Sequence, residues 1–152
     1  MGFQQVVYDM DQIRLNVGGF NVSRGAGASG LAADGPFLKI TQSGPSFTTR
    51  RGQDGAEARS KTNNHGADVS IFTMSTNSPT NGFFSGLMTA DEAAPNGASI
   101  VTLVAKDMQG TSVFIADSAY LISRPEVSFG PEASDFEWKF HAIWRLWIAG
   151  GN

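Results

Sequence analysis

From Phe136 to Ile148 every second residue is apolar: Phe136, Trp138, Phe140, Ala142, Trp144, Leu146 and Ile148. Between them stand Glu137, Lys139, His141 and Arg145, with Ile143 and Trp147 among them. A period of two places the first set on one face of an extended strand and the second set on the other. Strands usually run about 5–6 residues, and this alternation holds for far longer. Apolar residues on the second face suit a sheet that continues into neighbouring copies.

The rest of the chain agrees with a strand-rich fold. Ile13, Leu15 and Val17 alternate with Arg14 and Asn16, then Gly18-Gly19 precedes Phe20 and Val22, a strong hairpin signal. Phe37–Gln42, Phe47–Arg50, Val69–Met74, Ile100–Ala105, Val113–Ala116, Tyr120–Ile122 and Val127–Phe129 read as further strands, with Pro125 marking an edge or a break. One segment changes period. Ser78 and Pro79 suit a helix start, and Phe83, Phe84, Leu87 and Met88 then share one face until Pro95 and Gly97 end the run. Asn81, Gly82 and Gly86 weaken that helix, so packing must hold it. The fold class expected is mainly β: two packed antiparallel sheets, as a sandwich or barrel, with one flanking α-helix.

Two stretches stand apart. Residues 24–35 are small and flexible and read as a loop. Residues 51–66 contain no large apolar side chain, so this stretch is an exposed excursion, a hairpin or loop projecting at about 46–66. The whole of 1–152 is expected to be one domain.

Composition narrows the function. Charged residues make up only 16% of the chain, against about 25% in an ordinary soluble protein. Coverage by other copies would explain so thinly charged a surface; a monomer rich in Gly, Ser, Thr and Asn would also. The net charge of −3, with no run of Lys or Arg, lacks the footprint of a nucleic-acid grip. With no cysteine, disulfides, thiolate metal sites and cysteine nucleophiles are excluded together. No apolar stretch approaches the roughly 20 residues of a membrane span, and no leader is visible.

Chemistry-bearing motifs are weak throughout. His65 and His141 have neither a HExxH context nor a close partner, so they read as a turn residue and an outward strand residue. Ser112, Ser118 and Ser123 lack a GxSxG elbow, and Gly25–Gly30 opens no βαβ unit. No catalytic residue, metal ligand or cofactor is expected, and the chain does not read as an enzyme.

Several segments, in order, resemble the tail tube proteins of contractile-tailed bacteriophages. They are Asp54-Gly55-Ala56-Glu57-Ala58-Arg59-Ser60-Lys61, Gly66, Ser78-Pro79-Thr80-Asn81, Lys106-Asp107, Gly110-Thr111, Arg124–Gly130, Glu137-Trp138 and Gly150-Gly151-Asn152. The resemblance runs from about Val17 to the last residue. It implies a fold shared with the type VI secretion tube protein, and rings of six copies whose inner wall is a continuous β-barrel. Such rings stack into a hollow tube within the sheath, assembled around a tape-measure protein, and the tube later conducts the genome. The implied partners are other copies of the chain, the tail sheath, the tape measure, the baseplate and the tail terminator. DNA would pass without specific binding. The implied location is the virion, after assembly in the host cytoplasm. Arg50, Arg51, Asp54, Glu57, Arg59 and Lys61 are the candidate contacts between subunits or rings. The alternative is a carbohydrate- or protein-binding β-sandwich, with Tyr8, Tyr120 or Trp147 as its stacking platform.

Overall fold

The computed structural model describes residues 8–9, 12–22, 37–76, 78–96 and 99–151. The expected loop at 24–35, a capping role for the Ser78 side chain, the stop at Gly97 and the terminal Asn152 lie outside the described residues. Among the described residues nine strands and one helix follow in the order β1 Ile13–Val17, β2 Phe20–Asn21, β3 Leu38–Gln42, β4 Phe47–Arg51, β5 Glu57–Lys61, β6 Gly66–Met74, α1 Ser78–Ala93, β7 Val101–Asp107, β8 Val113–Ser123 and β9 Asp135–Ile148. The fold is mainly β, with two antiparallel sheets and one flanking helix, as the residue pattern leads one to expect.

The larger sheet has seven strands in the order β2-β1-β7-β8-β9-β6-β3, and the smaller is the β4-β5 hairpin. Ile13 of β1 and Leu38 and Ile40 of β3 come from nearly opposite ends of that order, yet they line one cleft. The sheet therefore curls back on itself in the manner of an open barrel. Its concave side holds the core: Leu15, Val17, Val69, Ile71, Leu103, Phe114, Leu121, Trp138 and Phe140, all buried. The β1–β2 turn is built on Gly18 (φ 59°) and Gly19 (φ 86°), and two consecutive positive φ values give the twist a two-residue hairpin needs.

Helix α1 plugs the open side of the curl. Phe84 is fully buried and meets Trp138 and Phe140 edge-on at 5.4 and 5.2 Å. Phe83 stacks on Phe20 at 4.6 Å, so adjacent helix residues touch an edge strand and an interior strand. Asn81, a poor helix former, earns its place as a polar hub. It donates to the Met74 carbonyl and accepts from the Thr73 hydroxyl (2.6 Å) and the Trp138 indole N–H (3.1 Å). The first helical turn is thereby tied to β6 and β9 through groups that would otherwise be desolvated without partners.

Two of the expected strand assignments need correction. Val127–Phe129 is not a strand; residues 124–134 form an irregular loop. Strand β8 runs unbroken through the gap between the two short strands expected there. Strand β9 lies inside the sheet, between β8 and β6, so the sheet's outer edges belong to β2 and β3. The alternation along β9 also changes phase. Trp138, Phe140, Ala142 and Trp144 face inward as the period of two requires, but the next inward residue is Trp147, while Leu146 and Ile148 are exposed. The ladder passes from Ile115↔Leu146 to Ala116↔Trp144 and then to Ser118↔Ile143. Arg145 is thus an extra residue in β9 and Asp117 an extra residue in β8, two adjacent β-bulges that restore the original register.

Candidate assembly interface

The six charged residues singled out in the sequence lie together on the β4–β5 arm or at its turn. The arm continues the β3–β6 pair past a joint. Ser43 donates from its backbone N–H to the Gly66 carbonyl, Thr62 donates likewise to Ser46, and Asn63 takes a positive φ of 53° where the chain turns into the body. Beyond that joint all ten strand residues of the arm are exposed.

Cross-strand partners share a face in an antiparallel pair. The register Phe47↔Lys61, Thr49↔Arg59 and Arg51↔Glu57 collects most of the charge on one face, and Thr48↔Ser60 and Arg50↔Ala58 make the other. Arg51 and Glu57 form an ion pair at 2.7 Å. The Arg59 guanidinium lies 3.8 Å above the Phe47 ring centroid. Asp54 accepts the Ala56 N–H at 3.1 Å and shapes the turn, which Gly55 completes with φ 87°. Four of the six charges are therefore occupied inside the arm, and Arg50 and Lys61 are the two it does not engage.

The convex face of the large sheet is a second exposed surface. Tyr120, Ile143, Leu146 and Ile148 are 39–52% exposed there, beside outward Ile115 and Val113. Toward β6 the face turns polar: the Tyr120 and His141 rings lie 5.7 Å apart, and His141 Nδ1 is 3.3 Å from the Asp68 carboxylate. The sequence hides this apolar patch, because Leu146 and Ile148 read there as core. The bulge at Arg145 moves them outside.

The histidines do not converge. His65 sits at the joint with its ring 5.2 Å from Trp144, while His141 stands on the convex face. No group of three or more His, Asp or Glu residues suited to a metal ion occurs among the described residues. Tyr120 is on the convex face and Trp147 packs edge-on against Phe114 and Trp144 on the concave side, so these two aromatics make no common platform. Among the described residues no helix is long and apolar enough to cross a membrane.

At the far end of the helix, Glu92 would oppose the dipole, but Arg124 grips it with both terminal guanidinium nitrogens, Nη2 at 2.9 Å. That hydrogen-bonded pair lowers the Glu92 carboxyl below its usual range and raises Arg124.

The whole architecture has a counterpart among solved structures. The tube-terminating cap of the anti-feeding prophage, determined by cryo-electron microscopy, superposes with a TM-score of 0.59 over 93% of this chain and 91% of that one, at 11% sequence identity. The likeness is one of fold alone. No family model matches the chain, and no curated protein matches it in sequence.

Proposed function

We propose that the chain is a structural subunit of a phage tail, specifically of its inner tube, and that it acts by assembling with copies of itself. The observation that carries this reading is the β4–β5 arm. A two-stranded hairpin is marginal in water by itself, and this one pairs with no other strand among the described residues and exposes every strand residue. Such an arm is worth building only if something outside the chain receives it. The apolar convex face of β8 and β9, the thinly charged composition and the fold shared with a tube-terminating cap point the same way.

In this reading the convex faces and sheet edges join copies side by side into a hexameric ring, and the arm reaches the next copy or ring. Contacts between unlike surfaces close a ring in one direction and repeat without limit in the other. The contacts of Arg50, Arg51, Asp54, Glu57, Arg59 and Lys61 then set register more than affinity, because exposed ion pairs contribute only about 0–1 kcal/mol each. The sheath, tape measure, baseplate and terminator are the expected partners, with the virion as the site of action after assembly in the host cytoplasm. Mild negative charge discourages DNA from sticking as it passes. No step of this function needs catalysis.

The structural neighbour favours a second reading, a ring that ends a tube instead of extending it. Negative-stain electron microscopy over a concentration series separates the two. Stacked rings with a central hole support the tube. Rings that never stack support the cap. Small uniform particles at every concentration, also in the presence of a baseplate, overturn both.

A further inference from the structure

Among the described residues most carboxylates have a partner inside the chain. Asp54 and Glu57 are engaged within the arm, and Asp9 is engaged as well. Asp68 meets His141, Glu92 meets Arg124 and Asp117 meets Arg145. Asp91 and Asp107 accept backbone N–H groups. The described carboxylates left without a partner are Glu126, Glu132, Asp135 and Glu137, and all of them stand on the β8–β9 loop or at the start of β9. Glu126, Asp135 and Glu137 line a polar groove of about 410 Å³ there, together with Arg124 and Lys139. Arg124 is committed to Glu92, so Lys139 is the one uncommitted cation lining that groove. Like charges held together repel one another, and a cation arriving from outside relieves that repulsion.

The β4–β5 arm has the opposite sign. From Phe47 to Lys61 it carries four cations and two carboxylates, a net +2, whereas the whole chain carries −3, which leaves −5 for the remainder. Its two unengaged cations, Arg50 and Lys61, fall on opposite faces of the hairpin by register, so each face offers one. The arm leaves the β6–β9 ladder where Gly66 faces Ile143, and the free carboxylates gather where Met74 faces Asp135. Those are the two ends of the ladder, on the order of 27 Å apart by strand rise. Arm and groove therefore stand at opposite poles of one chain.

We infer that the arm of one copy seats against the Glu126–Asp135–Glu137 groove of a second copy, with Arg50 and Lys61 meeting those carboxylates. The occupant is another molecule of this chain, because every copy carries a basic arm at one pole and uncompensated carboxylates at the other. A contact between unlike poles is head-to-tail, so it repeats along one axis without closing on itself. This contact deepens the assembly reading by naming what receives the arm, and it rests on that reading.

The absence of cysteine makes a cross-linking test free of background. One chain carries Ser60→Cys on the arm, and a second carries Ser123→Cys, where Ser123 lines the groove. Mixing them under mild oxidation is expected to give a mixed disulfide dimer at least about tenfold above a control pair, Ser60→Cys with exposed Ser85→Cys on the helix. Adding Arg50→Glu and Lys61→Glu to the arm chain is expected to return the yield to the control level. Adding Glu126→Lys and Glu137→Lys to the groove chain as well is expected to restore it, because both signs are then exchanged. None of these side chains belongs to the buried core, and an unchanged circular dichroism spectrum verifies the fold of each variant. A yield no higher than the control, one indifferent to the arm reversal, or one that the second reversal fails to restore overturns the inference. Tubes seen by microscopy together with a control-level cross-link would sink this contact alone. A cross-link lost and restored by charge in chains that never form rings or tubes would uphold the contact and sink the tube.

Discussion

Arg145 donates from Nε to the Asp117 carboxylate at 3.0 Å, and each of the two residues is the extra member of its own β-bulge. The pair therefore marks the place where two facing strands both break alternation and then resume it. The consequence on the concave side is that Trp144 and Trp147, three positions apart, meet edge-to-face at 5.1 Å. The consequence on the convex side is that Leu146 and Ile148 face water.

Magnitudes decide which contact holds the bulges. Both side chains of the ion pair are about 60% exposed, so screening leaves it worth about 0–1 kcal/mol. Trp147 packs against Phe114 and Trp144, and truncating a partly buried tryptophan costs about 2–4 kcal/mol. Urea denaturation is thus expected to show Asp117→Ala and Arg145→Ala within about 1 kcal/mol of the parent. Trp147→Ala should lose at least twice as much. Equal losses would mean that the ion pair, not the packing, sets the bulge.

The same region shows where sequence reading stops. Alternation from Phe136 to Trp144 and the Gly18-Gly19 turn were both legible, because period and positive-φ glycine are local properties. A bulge has no such signature: Arg145 is an ordinary strand residue, and the phase flip is decided by the partner strand. Its only trace is the spacing of Trp144 and Trp147. Val127–Phe129 looked like a strand because its composition is right, but no partner strand among the described residues receives it. The arm's charges were visible as a polar stretch. Which of them are spent on each other depends on cross-strand register, as Arg51↔Glu57 shows.

Asn81 was legible only as a flaw in a helix. In the structure it accepts from Thr73 and Trp138 and donates to Met74. Asn81→Ala takes the partner from three groups next to the core, the Thr73 hydroxyl, the Trp138 indole N–H and the Met74 carbonyl, which costs at least about 3 kcal/mol. Denaturant midpoints should show that loss. Trp138→Phe should cost less in the Asn81→Ala background than in the parent, since the acceptor is already gone. Strictly additive losses would argue that the indole N–H gains nothing from Asn81.

Glu92 gives the fold an acid limb with a defined sign. Hydrogen bonding to Arg124 lowers its folded-state pKa below the ordinary value of 4.5. Between those two values the unfolded chain holds a proton that the folded chain does not, so stability rises with pH there. The contribution is complete above the ordinary value and is lost as pH falls through the folded value. Thermal melts from pH 6 to pH 3 should show Glu92→Gln losing less Tm on acidification than the parent. Arg124→Gln, which removes the hydrogen-bond donor, should flatten the same limb. Parallel curves for all three chains would count against the coupling.

The arm and the convex face can be separated by what they leave intact. Arg50→Glu with Lys61→Glu reverses the two arm charges that are not spent within it, and Ile143→Lys with Leu146→Lys places charge in the exposed apolar patch. None of these four side chains is in the buried core, so each double variant is expected to melt within about 1 kcal/mol of the parent. Assembly should respond differently. If the convex face makes the lateral contact as proposed, charge there is expected to abolish it, because a desolvated lysine without a partner costs far more than the patch gains. If the arm's charges set register as proposed, the arm variant is expected to keep rings and lose their stacking. Sedimentation velocity and negative-stain images of the two variants side by side would read this directly. If the arm variant failed to form rings and the patch variant formed them, the two surfaces would have exchanged roles, with the arm binding laterally and the sheet face axially.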